Sequence, residues 1–154
     1  MKRPPLRLAV SLWILLLLFV LRVVGHFLVF LGWGFFLPPL REWSSGLLPY
    51  SVLLPAQILI ILLCSKICID FTRGRGFFVI RRRRLGSGLV LFGSVYLAAM
   101  LVRYILRMSL YPAERWTGGS IPIFLHWVLA TFLLLVGGYH RRRTRDESLP
   151  QPGP

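Results

Sequence analysis

Residues 8–37 read LAVSLWILLLLFVLRVVGHFLVFLGWGFFL, an apolar run in which Arg22 and His26 are the only ionisable side chains. A helix needs about 20 apolar residues to cross the hydrocarbon core of a bilayer, and this run exceeds that length. The sequence contains further apolar runs of spanning length at residues 50–69, 85–107 and 121–139. Since no alternating strand pattern of an outer-membrane barrel is present, the sequence predicts an all-α integral membrane protein, an up-down bundle of four transmembrane helices.

The composition agrees with a membrane protein and excludes two other classes. Of the 154 residues, 56% are hydrophobic, and 19 Lys and Arg against 5 Asp and Glu give a formal net charge of +14. A disordered polycation requires low hydrophobicity, and a nucleic-acid-binding domain of this size could not bury such long apolar runs. We therefore expect the lipid bilayer, and no nucleic acid, as a partner.

The distribution of the basic residues predicts the orientation. In the four-span arrangement, one side of the membrane receives fourteen of the 19 cationic residues, namely Lys2, Arg3, Arg7, Lys66, Arg73, Arg75, Arg81, Arg82, Arg83, Arg84, Arg141, Arg142, Arg143 and Arg145. The positive-inside rule places that side, with both termini, in the cytoplasm. The expected location is the cytoplasmic membrane of a bacterial-type cell, as a multi-pass protein. No A-x-A cleavage pattern follows the first span, so we expect that span to be retained.

Two regions follow from this arrangement. Residues 1–140 are predicted to form one four-helix transmembrane domain, with spans at about 8–31, 50–69, 85–107 and 121–139. Residues 141–154 are basic at first and then rich in proline, which predicts a disordered cytoplasmic tail.

Four consecutive arginines, Arg81, Arg82, Arg83 and Arg84, follow the apolar residues 77–80 between the second and third spans. A segment of this kind on the cytoplasmic leaflet would insert its aromatic side chains and place its arginines on lipid phosphates. Each basic residue near an anionic surface contributes about 1 kcal/mol. The run therefore predicts contact with anionic phospholipids, and the alternative is that it only sets the topology.

Polar residues within the spans converge on one level of the membrane. At about 1.5 Å of rise per residue, side chains from all four spans fall in the outer leaflet. They are Arg22, His26, Gln57, Arg103, Arg107 and His126. Because ionisable groups inside a membrane are costly, they are functional candidates by default. The pattern predicts a cationic cluster that receives an anion, such as a lipid head group, a quinone-like ligand or haem propionates.

A structural alternative explains the same residues without a ligand. Arg103 and Arg107 could extend to the outer interface and pair with Glu114 or with lipid phosphates. The two histidines would then form hydrogen bonds with neighbouring helices, at about 0.6 kcal/mol per contact.

The histidines also raise the possibility of haem. His26 and His126 lie at matching depth on different helices, as bis-imidazole ligation of haem inside a four-helix bundle requires. Residues 124–130 read FLHWVLA, which is similar to the H-W-x-x-A helix of bacterial b-type cytochrome membrane subunits. The resemblance implies a haem-b electron-transfer protein with His26 and His126 as iron ligands. The resemblance covers about a dozen residues. The motif lies on the fourth span here, whereas those families carry it on the first span. Three histidines supply ligands for at most one haem.

No sequence motif predicts catalysis. The sequence contains no Ser/His/Asp set, no glycine-rich phosphate loop and no HExxH, so we expect no enzyme activity, no metal and no cofactor. The favoured function is that of a non-catalytic structural or accessory subunit, or a lipid-interacting protein, in a larger membrane complex or a homo-oligomer. The haem protein and an oligomeric anion transporter are the alternatives.

Overall fold

The computed structural model describes residues 4–33, 50–110 and 120–142, and nearly all of them are helical. Four helices are formed: α1 over Leu6–Phe30, α2 over Tyr50–Arg73, α3 over Arg83–Leu110 and α4 over Ser120–Arg141. Each is long and apolar enough to cross a membrane, which confirms the prediction of an all-helical chain with four helices of membrane-spanning length. The predicted disordered tail beyond residue 142, and Glu114, lie outside the described residues.

A glycine ends α1 well before the apolar run does. Gly32 has a φ of 78°, a left-handed conformation that glycine adopts without steric cost. Its N–H donates to the carbonyl oxygen of Val29 at 3.1 Å, and the N–H of Trp33 donates to that of Leu28 at 3.0 Å. These two hydrogen bonds form a Schellman motif, so α1 stops at Phe30 although the sequence stays apolar to residue 37.

The helices pack in the spatial order α2, α1, α4, α3. Helix α1 contacts both α2 and α4, and α3 packs on α4; the described parts of α2 and α3 do not pack against each other. Consecutive helices run antiparallel. The start of α1 meets the end of α2, where Trp13 Nε1 donates to Thr72 Oγ1 at 2.9 Å. The start of α3 meets the end of α4, where the backbone N–H of Arg82 donates to His140 Nδ1 at 3.2 Å. We call this end of the bundle the arginine-rich end.

The main core lies in the half of the bundle next to the arginine-rich end. There α1, α2 and α4 bury Leu12, Cys68 and Val136 among other apolar side chains. The rings of Phe71 and Tyr139 meet edge to face at 4.8 Å, and the Tyr139 hydroxyl donates to the carbonyl oxygen of Val79 at 3.1 Å. The connection between α2 and α3 is thereby attached to the core.

Helices α3 and α4 approach closely through glycines. A Cβ atom at Gly86 would lie 2.9 Å from the carbonyl oxygen of Gly137, and one at Gly137 would lie 2.9 Å from Cγ2 of Val90. Small residues of this kind let two membrane helices pack backbone to backbone. Gly86 and Gly93 are the only residues of α3 that are buried, so most of its surface is exposed.

A buried carboxylate anchors the connection between α2 and α3. Asp70 is 3% exposed and forms an ion pair with Lys66. Its carboxylate also accepts a hydrogen bond from the backbone N–H of Phe78 at 3.4 Å. Gly76 has a φ of 127°, and a Cβ atom there would collide with the Asp70 carboxylate. Asp70 therefore fixes the loop that presents the arginine run.

Candidate functional site: a polar cavity between the four helices

Three of the six polar residues predicted to cluster line one cavity of about 140 Å³, which is partly open. They are Arg22 from α1, Gln57 from α2 and His126 from α4, and α3 adds Tyr96. The rest of the lining is apolar and consists of Phe19, Leu53, Ala56, Ile60, Leu125 and Leu129. We call this space the polar cavity.

The polar residues of the cavity lie at one level of the bundle. Counted from the arginine-rich end of each helix at about 1.5 Å per residue, Arg22 and Gln57 are about 24 Å along, His126 about 22 Å and Tyr96 about 20 Å. The hydrocarbon core of a bilayer is about 30 Å thick. In a bilayer spanned by these helices from the arginine-rich end, the polar cavity would lie in the interior, beyond the midplane.

Gln57 brings a buried acceptor to the cavity. The residue is 5% exposed, and its Oε1 atom has no hydrogen-bond partner among the described residues. A buried acceptor left without a donor costs about 1–3 kcal/mol. The Gln57 oxygen therefore offers an acceptor to a group that enters the cavity.

Arg22 and His26 form a pair one helical turn apart. Nη1 of Arg22 lies 2.9 Å from Nδ1 of His26. A guanidinium can only donate, so Nδ1 accepts and the neutral imidazole carries its proton on Nε2. His26 is 1% exposed and is not among the residues that line the polar cavity. It supports Arg22 rather than facing the cavity.

Tyr96 orients His126 across the interface between α3 and α4. The Tyr96 hydroxyl is hydrogen-bonded to Nδ1 of His126, and the two rings meet edge to face with centroids 5.6 Å apart. Sequence reasoning missed Tyr96, although it precedes Arg103 by seven residues and so lies on the same face of a helix.

Arg103 and Arg107 lie farther along α3. Counted from Arg83, they are about 30 Å and about 36 Å from the arginine-rich end, and neither lines the polar cavity. The predicted cluster is thus divided. Arg22, Gln57 and His126 share the cavity, and His26 contacts Arg22 without lining the cavity. Arg103 and Arg107 lie farther from the arginine-rich end than the cavity does. Their proposed partner Glu114 lies outside the described residues.

The surroundings of His26 do not fit a haem ligand. A metal-bound histidine donates its second ring N–H to an acceptor, whereas Nδ1 of His26 receives the guanidinium of Arg22. The polar cavity, at about 140 Å³, is also smaller than the roughly 300–1,000 Å³ of typical small-molecule sites. Across the three described stretches, no group of three or more His, Cys, Asp or Glu side chains could hold a metal ion.

The four arginines of the run, which were predicted to contact lipid, have different surroundings. Arg81 donates from Nη1 to the carbonyl oxygen of Arg142 at 3.2 Å, with its guanidinium 4.9 Å from the centre of the Tyr139 ring. Arg82 covers the ring of Phe77 at 4.0 Å, and α3 begins at Arg83. The side chains of Arg81 and Arg82 therefore have different partners.

The comparisons with known proteins add no assignment. No protein-family model, no curated protein and no solved structure matches the chain.

Proposed function

We propose that this protein is a non-catalytic, multi-pass protein of the cytoplasmic membrane that binds an acidic amphiphile. The polar group of the amphiphile enters the polar cavity, and its apolar part remains in the bilayer. The observation that carries the proposal is the convergence of Arg22, Gln57 and His126, from three helices, on one cavity inside an apolar bundle.

The polar groups of the cavity define the chemistry of the ligand. The guanidinium of Arg22 can only donate hydrogen bonds, and an anionic oxygen is the strongest acceptor for it. The unpartnered Oε1 of Gln57 requires a donor. A group with a hydroxyl beside an anionic oxygen satisfies both.

The size of the cavity and the order of the helices favour an amphiphile over a soluble ligand. A volume of about 140 Å³ admits a polar group but not a whole lipid. Helices α2 and α3 both line the cavity, yet their described parts do not pack against each other. An opening between these two helices would give the apolar part of the ligand a lateral route into the bilayer.

The orientation and the assembly belong to the same proposal. The concentration of basic residues at one end favours the cytoplasmic placement of both termini. The exposed surface of α3, which buries only Gly86 and Gly93, leaves room for a larger complex or a homo-oligomer.

A comparison of bound lipids tests the proposal. The protein is extracted with its surrounding membrane into copolymer nanodiscs, and the organic extract is analysed by mass spectrometry beside that of the bulk membrane. We expect the wild type to enrich a hydroxylated acidic amphiphile, and Gln57→Leu and Arg22→Gln to lose that enrichment. The matched control is Thr131→Val on the exposed face of α4, whose hydroxyl donates to the carbonyl oxygen of Trp127 at 2.8 Å.

Two outcomes would contradict the proposal. A wild-type extract with the composition of the bulk membrane would show that the cavity selects no lipid. A sharp reduced α-band in the visible spectrum that disappears in His126→Ala would replace the proposal with haem-based electron transfer.

A further inference from the structure

A second cavity lies at the arginine-rich end, between the start of α1 and the end of α4. It has a volume of about 540 Å³, within the roughly 300–1,000 Å³ of small-molecule sites. Its lining includes Arg7, Arg81 and Arg142 on the polar side and Leu134 and Leu135 on the apolar side. We call it the arginine pocket.

Among the residues that the structure describes, the arginine pocket gathers positive charge without a carboxylate in its lining. The only carboxylate of the described residues, Asp70, is engaged by the Lys66 side chain and by the backbone N–H of Phe78. The three arginines come from different parts of the chain: Arg7 from α1, Arg81 from the connection before α3, and Arg142 from just beyond α4. This concentration of positive charge from three parts of the chain favours an anion as the ligand.

Part of this arrangement is held in place by the fold. The guanidinium of Arg81 rests on the ring of Tyr139 at 4.9 Å and donates to the carbonyl oxygen of Arg142 at 3.2 Å. Tyr139 is itself 4% exposed and bonded to the Val79 carbonyl. Arg81 is therefore positioned before any ligand binds, which lowers the cost of ordering it on binding.

The apolar wall distinguishes a lipid from a soluble phosphate. Leu134 and Leu135 belong to α4, on the side of the pocket that leads into the membrane-spanning part of that helix. A free phosphate would leave this wall without a partner, whereas a phospholipid places an acyl chain along it. Basic pockets between transmembrane helices bind phospholipid head groups in this way.

We propose that the arginine pocket is a specific site for one anionic phospholipid of the adjacent leaflet. Arg7, Arg81 and Arg142 hold its phosphate, and Leu134 and Leu135 contact the first part of an acyl chain. Three positive charges favour a head group with two phosphates over one with a single phosphate. The site is independent of the polar cavity, since Arg7 and Arg22 are about 22 Å apart along α1.

Gly138 gives a direct way to close the pocket. It lies in the lining, and a Cβ atom built on it meets nothing within 4 Å, so a side chain can begin there without collision. Gly138→Leu would fill the space that we assign to the lipid and leave every charge in place. Gly88→Leu is the matched control, because a Cβ atom at Gly88 also meets nothing within 4 Å and Gly88 does not line the pocket.

The charges are tested by two pairs of substitutions. Arg81→Gln with Arg142→Gln removes two charges from the pocket, and Arg83→Gln with Arg84→Gln removes two charges from the same end outside it. Native mass spectrometry then measures lipid adducts on the full chain in detergent with phosphatidylcholine, phosphatidylglycerol or cardiolipin. At about fivefold in affinity per basic residue, the pocket pair is expected to weaken cardiolipin binding about 25-fold.

The proposal is supported only if the cardiolipin adduct is affected in the pocket variants and kept in the control variants. We expect one tightly held adduct with cardiolipin, a weaker one with phosphatidylglycerol and none with phosphatidylcholine. Gly138→Leu should lose the cardiolipin adduct, the pocket pair should weaken it about 25-fold, and both controls should retain it. Equal losses in the two arginine pairs would show unspecific attraction and overturn the site. Displacement of the adduct by inorganic phosphate at matched ionic strength would replace the lipid with a soluble anion. If Gly138→Leu does not fold, the arginine pairs decide alone.

Discussion

Replacement of Gln57 by leucine should stabilise the protein while it abolishes ligand binding. In the structure, the Gln57 side chain is 5% exposed, and its oxygen lacks a donor among the described residues. The apolar residues Leu53, Ala56 and Ile60 from the same helix surround the cavity beside it. Leucine has nearly the same size and needs no hydrogen bond, so it fits this apolar environment without loss of a native contact.

The magnitude follows from the cost of an unsatisfied buried acceptor. That cost is about 1–3 kcal/mol, and an apolar group of similar shape removes it. We therefore expect Gln57→Leu to raise the free energy of unfolding by at least about 1 kcal/mol in bicelles of synthetic phosphatidylcholine, which supply no acidic ligand. Steric trapping in these bicelles measures the difference directly. For the control Thr131→Val, on an exposed surface, we expect a change within about 0.5 kcal/mol.

A stabilising effect would be informative because polar residues that serve only structure behave in the opposite way. If Gln57 held the helices together, its removal would lower the free energy of unfolding. A decrease beyond that of the Thr131→Val control would therefore refute the assignment of Gln57 to a ligand. An increase together with loss of the bound amphiphile would identify Gln57 as a residue retained for binding at the expense of stability.

Three further predictions concern other contacts of the bundle. Tyr96→Phe removes the hydroxyl that orients His126. We expect the free energy of unfolding, measured by steric trapping, to fall by about 0.6 kcal/mol. Lipid analysis should show that less of the amphiphile is retained. Gly86→Leu places a side chain against α4 and should destabilise the bundle by about 1–3 kcal/mol, whereas Gly88→Leu should not; equal effects would refute the glycine contact. Asp70→Ala releases the connection between α2 and α3 and should lower the free energy of unfolding by about 2 kcal/mol. Trypsin should then cleave at the arginines of this connection faster than in the wild type. An unchanged cleavage rate would contradict the anchoring role of Asp70.

The four helices were predictable from the sequence because the hydropathy pattern gives the length of each apolar run directly. A run of about 20 apolar residues must be helical in a bilayer, since no other local structure satisfies its backbone polar groups. The common level of Arg22, Gln57 and His126 was predictable for a related reason: the rise of a helix converts residue number into depth.

The direction in which each side chain points was not predictable from the sequence. A soluble helix reveals its buried face by an apolar stripe, but a membrane helix is apolar on all sides, so the pattern does not show which neighbour it meets. For this reason the order α2, α1, α4, α3, the place of Tyr96 and the position of His26 behind Arg22 appear only in the structure. Asp70 was overlooked because its role depends on the backbone of the loop that folds onto it.

The most direct test of the proposed function is the intact mass of the protein released from native membranes. We predict that wild-type protein carries one acidic amphiphile per chain, and that Gln57→Leu and Arg22→Gln appear at the mass of the bare polypeptide while Thr131→Val keeps the adduct. A wild-type chain at its bare mass, or the same adduct on all four proteins, would contradict the binding of an amphiphile in the polar cavity.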